Sequence, residues 1–165
     1  MIHVVVGDLA REEVDAVLRP ADAALAPVGA AAARLDEVGG ATFAAQRRTA
    51  TALEAGAAVV TGAGALPADF VLHVVVVDER GTAGPEKIRQ ALVSAWQRAR
   101  DWGLMRVAAP LVGTADGPLA AERSAALLVE TFAEAHGPAG TGELRIVVDA
   151  PAERDVVDAI VRRQM

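Results

Sequence analysis

Short runs of consecutive apolar residues alternate along the chain with longer stretches in which apolar positions recur every three or four residues. The first kind occupies 2–6, bounded by Gly7-Asp8, then 15–18, expected to stop before Pro20, then 57–61, stopped by glycine. Residues 70–77, 106–112 and 144–148 complete the set. These six segments read as strands, and their lack of polar alternation predicts a sheet covered on both faces. In 70–77 only His73 is polar, so this strand is expected in the interior of the sheet rather than at an edge.

The second kind predicts about five helices. Segments 30–38 and 41–55 are separated by Gly39-Gly40. Segment 85–102 opens on a proline suited to a first turn and lines up Ile88, Leu92, Ala95, Trp96 and Ala99. Segment 119–135 aligns Leu119, Ala126, Leu127 and Phe132, and 151–163 aligns Val156, Val157 and Ile160 before a basic last turn. Strands alternating with helices imply an α/β fold of three layers, α/β/α, read as one domain over 1–165.

Composition narrows the chemistry. The 165 residues carry a formal charge of −6, which argues against a nucleic-acid partner, since phosphate tracking needs a basic face. With no cysteine, thiolate catalysis and thiolate metal ligation are excluded. The three histidines (His3, His73 and His136) show no helical ligand spacing, so no metal site and no cofactor are expected. There is no asparagine or tyrosine, and the serines are only Ser94 and Ser124. No run approaches the length of a membrane span and the amino terminus has no signal-peptide pattern, so a cytoplasmic protein without a membrane partner is expected.

Ligands of open α/β sheets sit beyond the carboxyl ends of strands, which directs attention to the loops. Gly7-Asp8-Leu9 follows the first strand, and Val14-Asp15-Ala16-Val17 enters the second. Ala57-Ala58-Val59-Val60-Thr61-Gly62 leads to Leu66-Pro67 and then to Phe70-Val71-Leu72-His73, while Ala109-Pro110-Leu111-Val112-Gly113-Thr114 closes the fifth strand. In this order the segments resemble the macro domain, the ADP-ribose-binding module. That resemblance implies a mixed six-stranded sheet between helices and a cleft for ADP-ribose or a related nucleotide.

It also assigns roles. In the family the aspartate after the first strand holds the adenine amino group, and Asp8, followed by Leu9, matches it. The next loop ordinarily reads Asn-Ala-Ala-Asn, its second asparagine gripping the distal ribose and serving hydrolysis in active members. Here it reads Arg19-Pro20-Ala21-Asp22, so Asp22 is the candidate ribose ligand and the catalytic base only if the chain is an enzyme. The first phosphate loop matches Gly29 and Ala30 with alanine in place of further glycines, and the second matches Gly113, Thr114, Ala115, Asp116 and Gly117. Asp116 places a negative charge where a diphosphate would lie. Arg19, Arg34, Arg47 and Arg48 are candidates for the missing positive charge, a solvated helix face being the other reading and the favoured one for Arg47-Arg48. The resemblance thus implies a divergent binding module with a weakened or altered site. The alternative is a scaffold with a decayed cleft and a helical face for self-association as a homo-oligomer. An ADP-ribosyl hydrolase ranks below both.

Overall fold

The computed structural model describes residues 1–115, 117–137 and 140–164. Six strands form one sheet: β1 (Ile2–Val6), β2 (Ala16–Ala21), β3 (Ala58–Gly62), β4 (Phe70–Val75), β5 (Arg106–Ala109) and β6 (Glu143–Val148), in the order β1-β6-β5-β2-β4-β3. All neighbours pair in parallel except β3, which runs antiparallel to β4 at one edge, so the sheet is mixed. The apolar run of β4 lies inside the sheet, between β2 and β3.

Four α-helices are described: α1 (Ala30–Gln46), α2 (Pro85–Asp101), α3 (Ala121–His136) and α4 (Pro151–Gln164), with a 3₁₀ turn at Leu9–Arg11. The layers are unequal. Leu92 and Trp96 of α2, Leu128 and Phe132 of α3 and Val157 of α4 pack with Leu18, Leu72, Ile146 and their neighbours on one face of the sheet. The other face is covered by α1 and the 3₁₀ turn, where Leu35, Phe43 and Leu9 meet Val17, Val71, Ala108 and Val147. Period-two alternation along β2 and β4 produces this division, since Leu18 and Leu72 face one layer and Val17 and Val71 the other.

Several expected boundaries shift for identifiable reasons. The second strand does not stop before Pro20 but runs through it to Ala21. The carbonyl of Pro20 accepts from the Val28 N–H at 3.1 Å, away from β4. A strand residue's N–H and C=O share one flank, and β5 pairs with β2 only at Ala16 and Val17, so the ring removes no ladder bond. The glycine break expected at 39–40 is a kink at Gly40 (φ 72°) within α1, and the helix then ends at Gln46 rather than reaching 55. Beyond it the Thr49 hydroxyl donates to the Thr51 carbonyl at 2.6 Å, the local side-chain to backbone bond that competes with helix. Strands β4 and β5 end at Val75 and Ala109, short of 77 and 112, because the chain peels away there to build loops. Among the described residues no helix is long and apolar enough to cross a membrane.

Candidate functional site

The parallel strands β1, β2, β5 and β6 deliver their following loops to one rim of the sheet. Two adjoining hollows of about 190 and 250 Å³ open there, sharing Ala30, Ala31, Pro110, Val147 and Asp149 as a common wall. Each is smaller than the roughly 300–1,000 Å³ usual for small-molecule sites, and the two lie side by side along that wall as halves of one elongated cleft. Gly29, Gly113, Thr114 and Ala115 line the first hollow, Asp8 and Leu9 the second, and Ala30 both.

Asp22 and Gly117 are not among these lining residues. The Asp22 carboxylate accepts from the Ala24 and Ala26 N–H groups, both at 2.9 Å, and so closes its own turn. Gly117 packs against Gly113, where a Cβ would collide with the Gly113 carbonyl. Asp116 lies outside the described residues.

The first hollow is bounded by the start of α1. Gly29 caps it with φ 93°, a conformation that disfavours other residues, and as a glycine it supplies no side-chain cap to the first N–H groups. A Cβ on Gly29 would stand 2.9 Å from the Ala115 Cβ, so the two glycine-type loops meet at this point and Ala115 narrows the cleft. The opposite loop is held from below. The Ser124 hydroxyl on α3 accepts from the Val112 N–H at 2.8 Å and donates to the Val112 carbonyl at 2.6 Å.

The charges of the cleft are uneven. Asp8 Oδ1 accepts from the Ala10 N–H at 3.0 Å, capping the 3₁₀ turn. Its Oδ2 accepts from Arg34 Nη2 at 3.3 Å and Nε at 3.4 Å. The hydrogen bond to Asp8 is the leading cause that raises the Arg34 pKa above its ordinary value. Asp149 borders both hollows and Glu153 the first. Among the described lining residues Arg34 is the one cation, and no aromatic ring is present.

Arg19 does not enter the cleft. Register sets it beside His73 in the β2–β4 pair, both on the α1 face, and each is 0% exposed. The guanidinium grips Asp36 of α1 through Nε–Oδ1 at 2.8 Å and Nη2–Oδ2 at 2.9 Å. Its Nη1 donates to His73 Nδ1 at 3.1 Å, which makes that nitrogen an acceptor and places the ring proton on Nε2. Nε2 then donates to the Thr61 hydroxyl at 2.7 Å, and the hydroxyl donates to the Gly62 carbonyl at 3.0 Å. Arg47 joins through Nη2–Asp36 Oδ2 at 3.4 Å, and the Phe43 ring stacks on His73. Burial, then the charges of Arg19 and Arg47, push the His73 pKa down to about 3, so the ring is neutral near pH 7. Sequence reasoning offered Arg19 as a cleft cation and favoured a solvated helix face for Arg47; it did not bring either to Asp36. An arginine inside a buried strand, facing a helix with an acid on its inner side, was the available signal.

The family model described as Macro domain matches residues 19–128. An uncharacterized protein of Aeropyrum pernix is 32% identical over 120 residues, 72% of this chain and 64% of its own length, so the chain spans less than two-thirds of that relative. A macro domain-containing protein of Cupriavidus necator is 31% identical over 140 residues, 81% of each. Among solved structures, the Trypanosoma brucei macrodomain in complex with ADP-ribose superposes with a TM-score of 0.82 at 21% identity, covering 97% of this chain and 68% of that one.

Proposed function

The chain belongs to the macro domain family, and on that premise we propose that it is a binding module for ADP-ribose or a related nucleotide with an altered site. One observation carries the reading: the loops after β1, β2 and β5 close on a single cleft walled by Asp8, Gly29, Ala30, Gly113, Thr114 and Ala115. Solved macrodomains with ADP-ribose or ADP share this fold. The alteration consists of the Ala115 methyl against Gly29 and the acids Asp149 and Glu153 along the wall. Binding is favoured over hydrolysis because Asp22 does not line either hollow and its Oδ1 already closes its own turn through the Ala24 and Ala26 amides.

The close approach of Ala115 to Gly29 favours one second reading, a scaffold whose cleft no longer admits ligand. Isothermal calorimetry with ADP-ribose, AMP and NAD separates the two. Saturable heat with a micromolar dissociation constant for ADP-ribose is expected. Absence of heat at millimolar ligand would replace the binding module with the scaffold.

A further inference from the structure

The second hollow has the chemistry of a slot for a flat heterocycle: Leu9, Pro110 and Val147 supply apolar walls, and Asp8 with Arg34 supplies the polar edge. What that edge offers is set by how the two side chains are already bonded. Asp8 gives Oδ1 to the Ala10 amide and Oδ2 to two nitrogens of Arg34, with Arg11 Nε also 3.8 Å from Oδ2. Most of its capacity to accept is therefore used inside the protein. Arg34 is used less fully. Its Nε and Nη2 serve Asp8 and its Nη1 faces Glu37 at 3.4 Å, which leaves further N–H groups of Nη1 and Nη2 for a ligand.

We infer that Arg34 is the specificity-determining residue of this hollow, and that the hollow takes an oxopurine in preference to adenine. This rests on the nucleotide reading above and states which base that reading implies. A guanidinium pairs with adjacent acceptors such as the O6 and N7 atoms of guanine, and hypoxanthine carries the same two. Adenine replaces O6 with an amino group, so a donor would face the donors of Arg34 while the carboxylate that could receive it is largely engaged. Arg34 lines this hollow with its side chain 41% exposed, so it is open to a ligand rather than sealed in the core.

ADP and IDP carry the same phosphates and differ only at the purine, so their affinity ratio isolates the base from every charge effect on the diphosphate. Calorimetry on the native chain is expected to give tighter binding of IDP by about five- to tenfold. In Arg34→Ala, which frees Asp8, the ratio is expected to fall to about one or to reverse, at low and at moderate salt alike. Equal or tighter binding of ADP by the native chain overturns the inference and leaves the nucleotide reading standing. A preference for IDP that survives undiminished in Arg34→Ala also overturns it. If neither diphosphate binds at millimolar concentration, the nucleotide reading fails and the base preference with it.

Discussion

At the residue scale the dominant feature is the guanidinium of Arg19, fully buried and bonded through each of its three nitrogens. Such a group is tolerated only when its charge is matched and its N–H groups are received, and Asp36 and His73 do both. Arg19→Ala would leave Asp36 facing Arg47 alone and His73 without its donor. Urea denaturation is expected to show a loss of about 3–5 kcal/mol, the scale for breaking one side of a buried pair. His73 adds a pH dependence of defined sign. Its folded pKa, about 3, lies below the ordinary 6.5, so the unfolded chain binds the extra proton between those values. Stability therefore falls as pH drops from about 6.5 toward 3, on the order of 2 kcal/mol over the first two units. Midpoints of urea denaturation measured across that range should carry this slope, and His73→Gln should reduce it. A flat native profile would show that the ring is protonated without cost.

At the scale of elements, the cleft is shaped by two loops and one helix start. The kinked α1 brings Gly29 to the loop after β5, and Ser124 of α3 fixes that loop through both polar groups of Val112. With both walls anchored, the width between them depends on the side chain at their meeting point, Ala115. Ala115→Gly is expected to tighten ADP-ribose binding about three- to tenfold by removing the methyl that fills this space. Gly29→Ala should act in the opposite sense, since its φ of 93° disfavours a side chain and a new Cβ there would stand 2.9 Å from the Ala115 Cβ. A titration in which both variants match the native chain would place the ligand elsewhere.

At the scale of the molecule, charge and cleft have the same sign. The formal charge is −6, and among the described lining residues Asp149 and Glu153 stand along the cleft with Arg34 as the one cation. An anionic nucleotide therefore approaches against the field of the protein, and salt screens that repulsion over a Debye length of about 30 Å at 0.01 M but only about 8 Å at 0.15 M. ADP-ribose affinity is expected to rise about two- to fivefold between those ionic strengths. A site built on cations would lose affinity over the same range, and that result would show that the wall acids do not face the ligand.

The sequence by itself determined the elements and their class. Apolar runs without alternation required strands buried on both sides, helical spacing in 85–102, 119–135 and 151–163 required covering layers, and the loop order carried the resemblance to macro domains. These properties are local, because burial of a strand or a helix face is written in neighbouring residues. Tertiary structure alone decided what each polar side chain does. Arg19 could be read as a cleft cation until the β2–β4 register placed it beside His73 and under Asp36, a partner 17 positions away. Asp22 was legible as an acid in a strand-end loop, but that its Oδ1 closes a turn on the Ala24 and Ala26 amides was visible only in the folded chain. Arg34 gained its place at the cleft only when α1 packed beside the loop after β1 and set it against Asp8. Hydrogen bonds and ion pairs depend on distances of a few ångströms between remote segments, and those distances exist only once the layers have packed.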